Sequence, residues 1–358
     1  MFFTNNIKHL SLAFDKRVVL SNTLEHVPEL MLSLSLLISL VVLSSTAPIL
    51  ELEPGKVQGF DYRTKNKETV EVFLNIPYAS PPIGELRSFP QYTLCFTSYW
   101  RAKKPQPVAP WEDVRNGTVI GPECRQLETM EQTSEDCLTL NIIRPKRNAS
   151  ILFLLLQNQV TNLPILLWIH GGAYEVGSAK QFGYEGFVNM YATRGIIVIS
   201  IQYRLGVYGF FSTGDQRIPG NLGLFDMAEA LKFVHTNAKN FGGDASRITV
   251  WGHSAGSAAT GQLILSPISR DYIAQSIEMS GSPYGSWAIG ASVVLGCDAN
   301  IKECMKQKTA KETDDAVKSI VGDLNIQLLE QDCVNKCSIY ILWYDKERTQ
   351  ICEMGCSD

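Results

Sequence analysis

A serine between two glycines, at the end of an apolar run, constrains this chain more than any other feature. Residues 248–256 read ITVWGHSAG, in which β-branched and aromatic residues predict a buried strand before the pattern Gly-x-Ser-x-Gly. Small residues follow, and the helix that they predict ends before Pro267. A serine on a strained strand-to-helix turn needs neighbours without side chains, because those backbones approach closely. The pattern predicts a nucleophile elbow at Ser254 rather than an ordinary glycine-rich turn.

A second glycine motif supports the first. Residues 164–174 read PILLWIHGGAY, so an apolar strand over 165–169 leads directly into His170, Gly171 and Gly172. Glycines directly after a strand leave backbone N–H groups free to point into a cleft, as an oxyanion hole requires. Alone, the motif fits a flexible Gly-Gly turn equally well. Beside the elbow, we interpret it as an oxyanion hole.

Composition excludes some classes of function. The 358 residues, 45% of them hydrophobic, can bury one large core, and an α/β domain can take up most of that length. A net charge of −4 supplies no basic field, so we expect no nucleic-acid partner. Nine cysteines without a C-x-x-C pair argue against a structural zinc site and favour a secreted chain with disulfides.

The first 47 residues predict an extension with a signal peptide. Residues 31–43 (MLSLSLLISLVVL) are uncharged and apolar, and small residues follow up to Ala47, as in a signal-peptide h-region and cleavage site. The run is too short to cross a bilayer comfortably, and a buried apolar helix is the alternative. Two sequons, at Asn116 and Asn148, fit passage through the secretory pathway and glycosylation.

Strand and helix patterns then alternate along the chain. Residues 55–78 alternate polar and apolar side chains and predict an antiparallel hairpin. Cys124 and Cys137 bracket a short loop and would either form a bridge or remain two free thiols. Further strands are predicted at 138–143, 165–169, 196–203, 248–251 and within 274–285, with helices around 184–194 and over 222–240. This order predicts a doubly wound sheet with the elbow at the carboxyl end of a strand, where such sheets bind ligands.

Taken together, these motifs give the chain a specific likeness. It resembles a type B carboxylesterase, of the carboxylesterase and cholinesterase family, over residues 55–310. The likeness rests on EDCL (135–138) with Leu140-Asn141, HGGA (170–173), NLGLFD (221–226), NFGGD (240–244) and the elbow. It implies the α/β-hydrolase fold, with a mostly parallel central sheet and helices on both faces. It also implies a small carboxylic ester as substrate, and neither a cofactor nor a metal.

The same likeness implies roles for individual residues. Ser254 is the nucleophile, and the N–H groups of Gly171, Gly172 and Ala255 form the oxyanion hole. Disulfides join Cys124 to Cys137 and Cys297 to Cys304. The implied reaction is acyl transfer, in which the serine attacks the ester carbonyl and water later clears the acyl-enzyme.

The chain departs from the family in its histidines. Such enzymes place a histidine base and an orienting glutamate well downstream of the elbow. Here none of the five histidines follows Ser254; they are His9, His26, His170, His235 and His253. We therefore assign no base and no acid, and we expect an α/β-hydrolase domain truncated on its C-terminal side. His170 is expected to position the glycine loop, His253 to point away from the hydroxyl, and His235 to lie on the surface.

Three segments lack counterparts in the family pattern. Residues 88–100 and 151–161 are atypical insertions, and residues 323–358 form a divergent cysteine-rich tail without a recognisable element. We interpret all three as unspliced or mispredicted sequence. The expected domains are thus an extension over 1–47, the hydrolase portion over 48–322 and the tail.

Two hypotheses for function follow. The first is a secreted serine carboxylesterase, and the second is a non-catalytic esterase-like module that acts through protein contacts. The intact Ser254 and HGGA loop favour the first, and the missing downstream histidine favours the second. The loop 125–136 contains no aromatic residue to bind a choline cation, which argues against acetylcholine as a substrate.

Overall fold

The computed structural model describes residues 47–83, 104–126, 133–146, 161–212, 220–285, 288, 340–345 and 348–353. In these ranges the strands are Ile49–Leu52 (β1), Gly55–Gln58 (β2), Phe60–Arg63 (β3), Thr69–Pro77 (β4), Arg115–Asn116 (β5), Glu123–Cys124 (β6), Thr133–Ser134 (β7), Thr139–Pro145 (β8), Leu163–Ile169 (β9), Ile197–Ile201 (β10), Gly243–His253 (β11), Gln275–Met279 (β12), Tyr340–Asp345 (β13) and Arg348–Glu353 (β14). The α-helices are Ala179–Phe182 (α1), Glu185–Met190 (α2), Gly206–Phe210 (α3), Leu222–Asn237 (α4) and Ala255–Leu265 (α5), and short 3₁₀ turns cover Ala192–Arg194 and Arg270–Tyr272.

Nine of these strands form one mixed sheet in the order β14-β13-β12-β11-β9-β10-β8-β4-β3. The four middle strands, β12, β11, β9 and β10, are parallel to one another. Antiparallel pairs extend the sheet on both sides, through β8, β4 and β3 on one and through β13 and β14 on the other. Parallel pairing is therefore confined to the strands around the elbow.

Helices cover both faces of the middle strands, as the unbroken apolar runs predict. All five residues of β10 (IVISI) are buried, which is typical of a strand that packs on both sides. Alternate residues of β9 enter different cores. Leu167 belongs to the cluster that includes residues of α4 and α5, whereas Trp168 belongs to the cluster that includes Phe187 of α2.

The order of the strands brings the two glycine motifs together. The chain passes from β9 to β10 on one side and then returns to place β11 on the other side of β9. The carboxyl ends of β9 and β11 are consequently neighbours, with Ile169 paired to Gly252. Clefts at such reversals of strand order are where α/β sheets bind ligands.

Most predicted elements are present with slightly different ends. The hairpin over 55–78 corresponds to β3 and β4, and α5 ends at Leu265, before Pro267. The bridge between Cys124 and Cys137 is formed, with an S–S distance of 2.03 Å. The signal peptide, the insertion at 88–100, nearly all of the insertion at 151–161, Asn148, Cys297 and Cys304 lie outside the described residues. The domain boundaries stay a prediction.

The tail differs from expectation. The sequence offered no recognisable element after residue 322, but β13 and β14 form an antiparallel hairpin whose first strand pairs with the edge of β12. Three of the six residues of the segment YILWYD are aromatic and one is β-branched, which favours a strand. The sequence around it shows no periodic pattern from which a strand could be predicted. Among the residues described, no helix has the length and apolar character to cross a membrane.

A buried ion pair fastens α4 to the segment after β10. Arg204 Nε and Nη2 donate to the two carboxylate oxygens of Asp226 at 2.8 and 2.7 Å, and the Arg204 backbone N–H donates to the same carboxylate. Both side chains are excluded from solvent, at 4% and 0% exposure. The NLGLFD motif therefore ends in a carboxylate that pairs with the buried Arg204 guanidinium.

Asp226→Ala should destabilise the fold by about 3–5 kcal/mol, because it removes the carboxylate that pairs with the buried Arg204 guanidinium. Urea unfolding followed by circular dichroism measures this loss. Glu51→Gln is the matched control, since it breaks an ion pair with Lys56 that is largely exposed to solvent, and it should leave the midpoint unchanged. Equal midpoints for Asp226→Ala and the wild type would contradict the prediction.

A buried carboxyl lies beneath the elbow helix. Glu278 of β12 pairs with Gly252 of β11, and its Oε2 would be 3.0 Å from a Cβ atom on Gly261 of α5. That oxygen has no hydrogen-bond partner among the described residues. Burial raises the pKa of Glu278 to about 7, from an ordinary value of 4.5. The folded state therefore holds this proton more tightly than the unfolded state.

The raised pKa predicts a pH-dependent loss of stability. The stabilisation is complete below pH 4.5 and is lost as the pH rises through about 7, because the folded protein must then bury a charge. Glu278→Gln should therefore raise the free energy of unfolding at pH 8 by about 2 kcal/mol, after discounting for solvent screening, and change it little at pH 4.5. Thermal unfolding at both pH values tests this, and a gain that is the same at each pH would contradict it.

Candidate active site

Ser254 stands on a sharp turn between β11 and α5. Its backbone has φ 55° and ψ −121°, a region that L-residues rarely adopt, and it forms the N-cap of α5. Its N–H donates to the carbonyl oxygen of Met279 on the neighbouring strand at 2.8 Å. The side chain is half-buried, and no described residue forms a hydrogen bond with its hydroxyl. The structure thus contains a strained strand-to-helix turn at Ser254, and the role of this serine as a nucleophile stays a prediction.

Three glycines allow the turn to close. A Cβ atom on Gly252 would overlap the carbonyl oxygen of Gly256, and one on Gly256 would overlap the carbonyl oxygen of Ile169 at the end of β9. A Cβ atom on Gly281, in the loop after β12, would come equally close to the carbonyl oxygen of Ser254. Because each close approach involves backbone atoms, a side chain could not be accommodated by a rotamer change. The spacing Gly-x-Ser-x-Gly thus follows from packing.

The loop after β9 meets the elbow directly. A Cβ atom on Gly171 would lie 2.6 Å from the carbonyl oxygen of His253 and 2.9 Å from Cβ of Ser254. Gly172 has φ 114°, a conformation that only glycine adopts without strain, and its carbonyl oxygen accepts N–H groups from Glu175 and Val176 at 2.9 Å each. The glycine pair therefore turns the chain sharply while it touches the serine.

The three N–H groups assigned from the family likeness are available for binding. Among the described residues, nothing accepts a hydrogen bond from the backbone N–H of Gly171, Gly172 or Ala255. Ala255 is also the first residue of α5, where N–H groups have no partner within the helix and favour a negative charge. The arrangement can stabilise an oxyanion that forms next to Ser254.

The sequence did not single out Ala173, the fourth residue of the HGGA motif. It has φ 55°, and its N–H likewise has no acceptor among the described residues. The fourth position of the motif was visible in the sequence, but its left-handed conformation was not. Ala173 joins the candidate donors of the loop.

His170 supports the loop, as expected. Its ring is buried, and Nδ1 lies 2.8 Å from the carbonyl oxygen of Gly171. Burial lowers the pKa of His170 to about 4, so the ring is neutral near pH 7. A carbonyl oxygen can only accept, so the single ring proton lies on Nδ1. Nε2 is buried, without a partner in the part of the chain that the structure describes.

A second set of contacts anchors the far end of the loop. The Gln126 side chain donates to the carbonyl oxygen of Gly177 at 3.2 Å and accepts from its N–H at 2.8 Å. The N–H of Gly206 donates to the carbonyl oxygen of Tyr174 at 2.7 Å. Gln126 lies two residues after Cys124, so the disulfide-bonded segment is joined directly to the glycine loop.

The remaining predicted residues lie apart from the serine or outside the described ranges. His253 is exposed, and His235 is half-buried with its ring 4.9 Å from that of Tyr272. Asn116 is exposed, and its Oδ1 accepts from the N–H and hydroxyl of Thr118, two residues on in the sequon. No histidine in the described ranges forms a hydrogen bond with Ser254.

Comparison with known proteins places this geometry in a family. The chain is 43% identical to "Gut esterase 1" of Caenorhabditis elegans over 298 residues, which cover 78% of this chain and 48% of that protein. It is 35% identical to "Carboxylesterase 1F" of Mus musculus, over 75% of this chain and 48% of the mouse protein. The chain thus spans about half the length of these curated relatives.

A solved structure agrees with the sequence relatives. The chain resembles "PNB esterase" with a TM-score of 0.60 and 30% identity, over 77% of this chain and 54% of the other. This likeness confirms the predicted α/β-hydrolase fold. The model of the carboxylesterase family matches residues 46–336, which include the elbow, the HGGA loop and the strands that carry them. This chain belongs to the carboxylesterase family.

Proposed function

We propose that this chain carries the acylation site of a serine carboxylesterase, with Ser254 as the nucleophile. One observation carries the proposal. The serine stands on a strained turn against Gly171, beside N–H groups of Gly171, Gly172 and Ala255 that have no acceptor in the described part of the chain. Strain of this kind persists only where the surrounding structure enforces it, and it is common at catalytic residues.

The proposed chemistry is an acyl transfer. The Ser254 oxygen attacks the carbonyl carbon of an ester, the carbonyl π electrons move onto oxygen, and the loop N–H groups bind the resulting oxyanion. Collapse of this intermediate breaks the bond to the alkoxy group, which leaves as an alcohol with the proton that the Ser254 hydroxyl gives up. Water then attacks the acyl-enzyme, the bond to the Ser254 oxygen breaks, and a water proton returns to that oxygen as the carboxylic acid leaves. Each N–H donor contributes about 3 kcal/mol to the lowering of the barrier.

The substrate and cellular setting are inferred from the same features. We expect a small carboxylic ester, in keeping with relatives that are named esterases and carboxylesterases. The Cys124–Cys137 disulfide, the exposed sequon at Asn116 and the apolar run over 31–43 all favour a secreted glycoprotein.

Among the described residues, no histidine is placed to act as a general base on Ser254. His170 is buried against Tyr203 and engaged with Gly171, and no histidine follows Ser254 in the sequence. Without a base, the serine keeps its proton during attack, and turnover is slow. The lack of such a contact in the described part of the chain fits a second candidate, an esterase-like module that acts through protein contacts, and the experiments below separate the two.

An organophosphate probe, such as a fluorophosphonate, should label Ser254 slowly, because the oxyanion hole retains part of the catalytic effect without a base. Mass spectrometry of the digested protein locates the adduct. Ser254→Ala should abolish labelling, whereas Ser257→Ala should leave it intact, because Ser257 is buried and donates to the Gly281 carbonyl oxygen. No adduct on the folded protein would exclude a working nucleophile and favour the non-catalytic module.

Hydrolysis of p-nitrophenyl acetate by this chain should remain close to the uncatalysed rate, because deacylation also needs a base. The release of p-nitrophenol over time measures it. Turnover well above background that disappears in Ser254→Ala would show that a base acts on Ser254 after all, and would contradict this prediction.

A further inference from the structure

A tyrosine from a different strand holds the histidine of the HGGA loop. Tyr203 follows β10 and is completely buried. Its hydroxyl donates to the carbonyl oxygen of His170 at 2.7 Å, and its ring stacks on the imidazole with centroids 4.4 Å apart and planes inclined by 17°. Tyr203 therefore fixes both the backbone and the side chain of His170.

His170 in turn holds the peptide between the two glycines. Its Nδ1–H donates to the carbonyl oxygen of Gly171. That carbonyl and the N–H of Gly172 belong to one planar trans peptide, so they point in opposite directions and rotate together. A side chain that fixes the Gly171 oxygen therefore also fixes the direction of the Gly172 N–H.

We propose that Tyr203 is a positioning residue of the oxyanion hole, which acts through His170 to aim the Gly172 N–H at the oxygen of the tetrahedral intermediate. The inference rests on the proposed function, because the direction of that N–H matters only if Ser254 is acylated. Tyr203 itself touches no reacting atom. Burial raises the pKa of Tyr203 well above its usual value, so its hydroxyl keeps the proton that it donates.

A matched control lies close by in the fold. Tyr78 is also buried, and its hydroxyl donates to the carbonyl oxygen of Gln202 at 2.6 Å. Tyr78→Phe and Tyr203→Phe therefore each remove one buried hydrogen bond from a tyrosine hydroxyl to a backbone carbonyl, that of Gln202 and that of His170 respectively. Only Tyr203→Phe removes a contact to His170. A purely structural role would make the two variants alike.

Selective isotope labelling allows the NMR signal of the Gly172 N–H to be observed with little overlap. The sequence contains two Gly-Gly pairs, Gly171-Gly172 and Gly242-Gly243. Protein labelled with glycine that carries ¹³C at the carbonyl and ¹⁵N at the amide gives an amide-to-preceding-carbonyl correlation only for Gly172 and Gly243. The carbonyl oxygen of Gly242 accepts from the N–H of Leu163 at 3.1 Å, away from Tyr203, so the second signal is an internal reference.

Tyr203→Phe should shift the Gly172 signal and leave the Gly243 signal in place, because His170, the donor to the Gly171 carbonyl, is no longer held by the Tyr203 hydroxyl. Tyr78→Phe should move neither. A Gly172 signal at its wild-type position in Tyr203→Phe, or an equal shift in Tyr78→Phe, would overturn the inference. This readout does not depend on catalysis.

A second pair of variants tests the step through His170. The Asn side-chain amide can place a donor close to where Nδ1 lies, so His170→Asn should keep the Gly172 signal near its wild-type position. His170→Leu removes the donor and should displace it. If the Gly172 signal shifts by the same amount in His170→Asn and His170→Leu, then His170 does not position the Gly172 N–H through its donor, which would contradict the inference. If Tyr203→Phe folds poorly, these two variants still test whether the His170 side chain orients the Gly171–Gly172 peptide.

Reactivity supplies the functional readout. Tyr203→Phe should slow fluorophosphonate labelling of Ser254 about tenfold, which is less than the 10²–10³ lost with a whole oxyanion donor. Tyr78→Phe should label at the wild-type rate. Equal rates for Tyr203→Phe and the wild type would overturn the inference. If the wild type itself is not labelled, the proposed function fails, and the Gly172 signal alone decides whether Tyr203 positions the peptide.

Discussion

The close approach of backbones between the end of β9 and the start of α5 is the constraint on which the site depends. Gly256 lies against the carbonyl oxygen of Ile169, and Gly171 lies against His253 and Ser254. These contacts join segments about eighty residues apart, and they exist only because the strand order places β9 beside β11. A side chain at either glycine would separate the serine from the N–H groups of the loop. The two motifs are therefore two halves of one packing contact.

Around this contact, buried polar side chains take over the hydrogen bonds that the irregular backbone cannot form itself. Gln126 binds both backbone groups of Gly177, and Tyr203 binds the carbonyl of His170. Burial also disfavours the charged forms of two titratable side chains near the site, since it lowers the pKa of His170 and raises that of Glu278. Between pH 4.5 and 6.5 the two groups affect stability in opposite directions, so their effects partly offset each other.

The local part of this arrangement could be predicted from the sequence. The elbow, the strand before the HGGA loop and the helix after Ser254 follow from short patterns whose periodicity and glycines have a steric cause. The Cys124–Cys137 bridge was expected from the family likeness and is present. These predictions concern neighbours in the chain, or pairs that a known family already joins.

The remaining features depend on long-range contacts that no single segment encodes. Nothing in the residues around Tyr203 indicates that its hydroxyl reaches His170, since that contact requires β10 to pair with β9 in one register. The hairpin of β13 and β14 was missed because its residues carry strand propensity without a predicted partner. The positive φ of Ala173 follows from the way in which Gly172 folds back on Val176, which only the three-dimensional structure shows.

The backbone of Ser254 has a consequence for how this protein could evolve. At φ 55° and ψ −121°, any residue with a side chain is strained, by about 1–3 kcal/mol, and glycine would relieve most of that strain. Stability and the proposed nucleophilic role of Ser254 therefore make opposite demands at this single position. If the proposed ester chemistry were no longer needed, replacing this serine with glycine would give a more stable fold, so the proposed function implies that the hydroxyl is kept at a cost in stability.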